Sequence, residues 1–160
     1  MIGEEKVCSL YVNEMHLVVM LMPYIEKNLE KNEKIITAFE KDLNNEINVL
    51  LDKTNLNEFK KDKIKKINWS AKKIEDIRNI KNKINNGIII VNGCREYEEM
   101  VNDIINDSNI KIINCIKLED FEKRANEILK KHNKILNTLG ERDISEMFNI
   151  NLRNETQPLT

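Results

Sequence analysis

Glycine is scarce in this sequence, with four in 160 residues. A phosphate loop of the G-x-x-x-x-G-K-[ST] type needs backbone amides and a Lys around the phosphates. The turn after the first expected strand reads YVNEMHLV, without Gly, Lys or Ser. G-x-G-x-x-G occurs nowhere. Nucleotide hydrolysis by the usual route is not expected, while nucleotide binding through another loop stays open. Serine never stands in G-x-S-x-G, so acyl transfer has no candidate nucleophile. Only His16 and His132 could act as imidazole bases or ligands, and no ligand cluster has metal-type spacing. No metal or cofactor is expected.

The three cysteines, Cys8, Cys94 and Cys115, are an odd number without a disulfide framework. With no signal peptide visible, this composition points to the reducing cytoplasm. The longest apolar run, Leu17 to Met22, is far too short to span a membrane. Charge of one sign is also missing, with 26 Lys and Arg against 27 Asp and Glu. One stretch departs from that balance. Lys60 to Lys83 carries ten basic residues against Asp62, Glu75 and Asp76, a net of +7, leaving −8 for the rest. Trp69 lies near its centre, so phosphate contact is a reading to weigh. No recognition motif accompanies it, and several of its lysines form the polar face of an expected helix. Nucleic-acid binding is the lesser expectation.

Hydrophobic residues make up 41% and charged residues 33%, the balance of one soluble globular domain. Val7 to Val12 predicts a first strand. The stretch from Glu14 to Glu40 then organises the chain. Met15, Val18, Met22, Ile25 and Leu29 recur at helical spacing, and Leu17, Val19, Met20 and Leu21 fill most of the remaining circumference. This predicts a helix covered on nearly all sides, kinked or split near Met22 by Pro23. KIITAF follows as a strand buried on both faces. Leu43, Ile47, Leu50 and Leu51 form the next helical stripe.

Lys63 to Trp69 (KIKKINW) reads as a weaker third strand, and Ser70 as the N-cap of a helix bearing Ile74, Ile77, Ile80 and Ile84. Gly87 suits a left-handed helix cap. Ile88 to Val91 is the clearest strand. A helix with Tyr97, Met100, Val101, Ile104 and Ile105 follows, then a strand from Ile110 to Ile116. The closing helix carries Phe121, Ala125, Ile128, Leu129, Ile135 and Leu136, with Gly140 ending it. Ile144, Met147 and Phe148 predict a last short helix, and 151–160 a loose tail. Five strands alternating with helices predict an α/β fold. It is a single domain over 1–150, a mostly parallel sheet with helices on both faces, three-layered and RecA-like or Rossmann-like.

Ligands of an open parallel sheet bind outside the carboxyl ends of its strands. The expected strands place Asn13 and Glu14, Glu40 and Lys41, Asn92 to Arg95, and Lys117 there. The candidate binding set is Asn13, Glu14, Glu40, Asn92, Gly93, Cys94 and Arg95. Gly93 permits close backbone approach, and the following helix N-terminus favours an anion or a thiolate. Two readings stay open for Cys94, a bystander in an ordinary turn or a nucleophile supported by Arg95. His132, on the stripe between Ile128 and Leu136, reads as a packed, hydrogen-bonded side chain.

LMPYIEKNLEKNEKIITAFE resembles the opening of the DcmR-type sensory domain, or MEDS, where "P-[FY]-[LI]" leads through "GL-x-x-G-E" into the second strand. Pro23, Tyr24, Ile25, Leu29 and Glu33 match, while Asn28 and Asn32 stand at glycine positions. INCIKLEDFEKRANEILKKHNKIL is similar to the closing "C-x-Y-D … F … H-P" of that family. Cys115, Phe121 and His132 match, and Ile116 and Asn133 depart. The resemblance runs from about Val7 to Phe148. It implies a RecA-like fold without a working Walker motif and a non-catalytic role in bacterial or archaeal signalling. The expected partners are a kinase or transcription regulator and a small-molecule ligand. Such domains are often fused to others, and this chain is expected to act as a stand-alone sensor, with a homodimer compatible.

Overall fold

The computed structural model describes residues 5–106 and 108–145. The elements are β1 (Lys6–Tyr11), α1 (Glu14–Glu30), β2 (Ile35–Phe39), α2 (Asn44–Lys53), α3 (Glu58–Lys65) and α4 (Ile74–Lys83). They continue with β3 (Asn86–Asn92), α5 (Arg95–Ile105), β4 (Asn109–Lys117), α6 (Leu118–Lys131), β5 (Lys134–Asn137) and β6 (Gly140–Asp143). The sheet runs β2-β3-β4-β1-β5-β6. Every neighbouring pair is parallel except β5 with β6. The α/β class and three-layer form match the sequence expectation, with one antiparallel strand added at an edge.

The β-branched strands alternate their side chains between two buried faces. Ile88 and Ile90 join Val7, Phe39, Ile113 and Leu136 under α1, α2 and α3. Ile89 and Val91 pack with Ile36, Ile112 and the helices α4 and α5. Cys8, Ile116 and Ile135 meet Ile128 of α6. Helix α1 buries Leu17, Val18, Met20, Leu21, Met22, Tyr24, Ile25 and Asn28, leaving Met15 and Val19 exposed. It runs unsplit through Pro23, which lies on its exposed side.

Several local expectations are corrected. Lys63 to Trp69 is no strand. Its first part ends α3, and residues 66–73 cover the open edge of β2 as irregular chain. Lys72 N donates to Phe39 O at 2.8 Å, Lys72 Nζ to Thr37 O at 2.6 Å, and Thr37 Oγ1 to Asn68 O. An exposed edge strand invites pairing with another chain, and this segment occupies the place. Trp69 (2% exposed) stacks on Phe39 at 5.8 Å and donates its indole N–H to Ile64 O at 2.9 Å.

Ser70 caps no helix, because α4 starts at Ile74 and Asp76 accepts the Lys73 N–H at 3.0 Å. Gly87 sits inside β3 at φ +136°, where a Cβ would lie 2.8 Å from Lys34 O. Ile135 and Leu136 belong to β5, since α6 stops at Lys131, and Gly140 (φ +117°) opens β6. Of the expected last helix, Ile144 is buried, while Met147, Phe148 and the 151–160 tail lie outside the described residues.

Candidate functional site

Helix α1 carries the chain from β1 to β2 on one side of the sheet, whereas α6 carries it from β4 across β1 to β5. Strand order therefore reverses between β1 and β4, the place where α/β sheets open a crevice. A cavity of about 330 Å³ lies there, lined by Val12, Lys117, Leu118, Glu119 and Glu122. Beside it, Glu14 pairs with Lys117 at 3.8 Å. Val12 (60% exposed) and Leu118 (41%) add an apolar surface at its mouth.

The residues expected at the strand ends are largely engaged with one another. Asn13 caps α1, its Oδ1 accepting from His16 N at 2.9 Å, while His16 Nδ1 accepts from Val12 N at 2.9 Å. Glu40 lies over the N-terminus of α5. Its Oε1 accepts from Cys94 N at 2.7 Å, and its Oε2 lies 3.6 Å from Cys94 Sγ. A protein carboxylate thus occupies the position that a helix N-terminus offers to an anionic ligand. Gly93 makes this approach feasible, since a Cβ would lie 2.9 Å from Glu40 Cβ and 2.5 Å from Tyr97 Cδ1.

Asn92, 6% exposed, donates from Nδ2 to Tyr11 Oη at 2.7 Å and to Cys115 O at 3.3 Å. Burial pushes the Tyr11 hydroxyl above its ordinary value, and the Asn92 bond partly offsets this. Arg95 turns away from the strand ends, bonding Glu99 Oε1 and Glu127 Oε1 at 3.0 Å each. Among the described residues no group of three or more His, Cys, Asp and Glu could hold a metal ion.

Sequence reasoning missed a second polar centre, on the face of the sheet between α5 and α6. Asn114 of β4 and Asn102 of α5 pair reciprocally at 2.8 and 3.1 Å. Asn114 Nδ2 also lies 3.0 Å from His132 Nε2, and His132 Nδ1 lies 2.6 Å from Ile128 O. The carbonyl can only accept, so Nδ1 carries the proton and Nε2 receives the Asn114 amide. His132 is the packed, hydrogen-bonded histidine that the sequence implies, placed at the end of α6. Burial holds it below the usual histidine value. Glu98, 7% exposed, is pushed up by burial and partly drawn back by Arg124. The available signal was Asn114, a lone amide inside the apolar run IKIINCI.

The basic stretch is divided by the fold. Lys60, Lys61, Lys63 and Lys65 lie on α3, packed on the α1 face, and Arg78, Lys81 and Lys83 on α4 across the sheet. Lys60 pairs with Glu26 and Glu30, at 3.9 and 3.5 Å. Among the described residues no helix is long and apolar enough to cross a membrane. Comparison with protein-family models, curated proteins and solved structures finds no match.

Proposed function

We propose that this protein is a non-catalytic regulatory domain of the sensory kind, acting by binding a small ligand, a partner protein, or both. The observation that carries this reading is the closure of its helix N-termini by its own side chains. At α1, Asn13 and His16 use the turn amides, and at α5 the Glu40 carboxylate takes Cys94 N. A nucleotide phosphate would find these donors spent and a negative charge in place. The crevice between β1 and β4 keeps an apolar mouth and a Glu14–Lys117 pair, a surface for binding rather than for chemistry.

Membership of the sensory family agrees with one further detail. Asn32 stands at a family glycine position and lies at φ 59°, a conformation open to both residue types. The turn leading into β2 can thus persist despite the substitution. A kinase or transcription regulator is the partner this role implies. A Cys94 nucleophile has less support, because its polar neighbour is a carboxylate and Arg95 is held by Glu99 and Glu127. A nucleic-acid role through Lys60 to Lys83 has less still, since α3 and α4 cover opposite faces.

The test is native mass spectrometry of the tagged protein, recovered gently from the cells that make it, beside Mg-ATP and Mg-GTP assays. A co-purifying protein or small molecule, with no phosphate release, is expected. A bare chain, or turnover of either nucleotide, would overturn the reading.

A further inference from the structure

The helical layer on one face of the sheet is interrupted. Under α1, α2 and α3 the opposite face has a single apolar cluster reaching from Val7 to Leu136. On the interrupted face, the cluster around Ile77, Tyr97 and Val101 is separate from the one around Cys8, Ile116 and Ile128. Between them, flanked by α5 and α6, lies a cavity of about 430 Å³. A polar side chain in mid-strand costs free energy unless it is bonded, and helices covering a sheet ordinarily bury apolar groups there. Here the floor is Asn114, 1% exposed, locked with Asn102 and a neutral His132. Such a floor is rigid, uncharged and rich in hydrogen-bonding groups.

The walls carry both signs of charge and no apolar side chain. Two buried acceptors in them lack a close donor among the described residues. The Glu98 carboxylate has Arg124 Nη2 at 3.5 Å, beyond the roughly 2.7–2.9 Å of a charge-assisted bond. Asn106 Oδ1 is buried with no hydrogen-bond partner among the described residues. Lys131, Arg95 and Lys6 bring cations to the same cavity; Arg95 and Lys131 share Glu127, at 3.0 and 3.1 Å, and Lys6 has no ion-pair partner among the described residues. An apolar ligand would desolvate these groups without return, and a nucleobase would find no aromatic ring on which to stack. A molecule bearing an ammonium and a carboxylate meets both walls.

We infer that the groove between α5 and α6 binds a small zwitterion, a free amino acid with a polar side chain. Its ammonium group bonds Glu98, and its carboxylate lies against Lys6 and displaces Glu127 from Lys131. Its side-chain donor points along α5 toward Asn106. The size suits this, since small-molecule sites commonly span roughly 300–1,000 Å³. The site is separate from the crevice between β1 and β4, and the inference does not depend on it.

Isothermal titration and thermal shift with free glutamine, asparagine, arginine and lysine test it. The controls are N-acetyl and amidated forms of the same molecules, with glucose and glycerol. At least one free amino acid should stabilise the protein, and its N-acetyl form should not. Glu98→Gln and Lys131→Met, each shown folded by circular dichroism, should weaken binding about tenfold or more, the loss of one hydrogen bond to a charged group. Lys117→Met, in the other crevice, should leave it unchanged. Three results would each overturn the inference: no response to any free amino acid, a response to the polyols alone, or binding that survives both groove variants. Loss of binding in Lys117→Met with retention in Glu98→Gln would place the ligand elsewhere and overturn it too.

Discussion

Cys8 and Cys115 lie in the third and seventh positions of their strands, against opposite faces of the sheet. Burial pushes the Cys8 thiol up to about 12 and the Cys115 thiol up as well. Cys94 is exposed at the start of α5. Brief iodoacetamide treatment of the folded protein should therefore give one adduct, at Cys94, and three after denaturation, read by peptide mass spectrometry. Equal labelling of Cys8 or Cys115 in the folded state would show that the sheet assignment is wrong. His132 supplies a pH-dependent contribution. Burial lowers its folded value, with Lys6, Lys131 and Arg124 acting in the same direction, while an unfolded histidine protonates near 6.5. Between the two values the unfolded chain binds more protons, so this stability is full above 6.5 and is lost as pH falls below it. Urea midpoints taken on either side of 6.5 should show a smaller drop in His132→Gln than in the parent. An unchanged drop would mean that other groups set the dependence.

The segment from Lys63 to Trp69 shows what element-level reading misses. Ile and Lys alternate over KIKKI loosely enough to suit a strand, yet Ile64 and Ile67 also stand one helical turn apart. Asn57 decides locally for the helix, its Oδ1 capping Lys60 N at 2.8 Å. The remainder is decided by the distant edge of β2, through bonds from Lys72 to Thr37 and Phe39. Trp69 anchors this segment, so Trp69→Ala should cost about 3–5 kcal/mol, read from urea unfolding. A loss under about 1 kcal/mol would mean the segment packs loosely there. Residues 134–136 misled for a related reason. Ile135 and Leu136 continue the helical spacing of α6, but β5 forms because Cys8 and Ser9 of β1 offer them a parallel partner. Helix signals are local and legible, whereas strand pairing depends on residues far away in sequence.

For the whole molecule, β3 is the most exacting element, hydrogen-bonded to β2 and β4 and buried on both faces. Ile90, fully buried, has Thr37 and Ile113 as its strand neighbours. Ile90→Asp places an uncompensated carboxylate there and should abolish cooperative unfolding. A soluble variant that still melts cooperatively would contradict this sheet order. The same scale decides the candidate sites. Glu40 and Cys94 are 54 residues apart and meet because β2 and β3 are neighbours. Glu14 meets Lys117 for the same reason, across β1 and β4.

By itself the sequence determined the α/β class, four of the five parallel strands, the absence of a phosphate loop, and which residues stand at the strand ends. These depend on spacing within about a dozen residues, where apolar periodicity and turn chemistry act directly. Only the tertiary structure decided that Glu40 closes the α5 N-terminus, that Arg95 turns to Glu127, and that Asn102, Asn114 and His132 join beneath a polar groove. Each of these pairings crosses between elements, and strand order and helix placement, not local spacing, bring their partners within hydrogen-bonding reach.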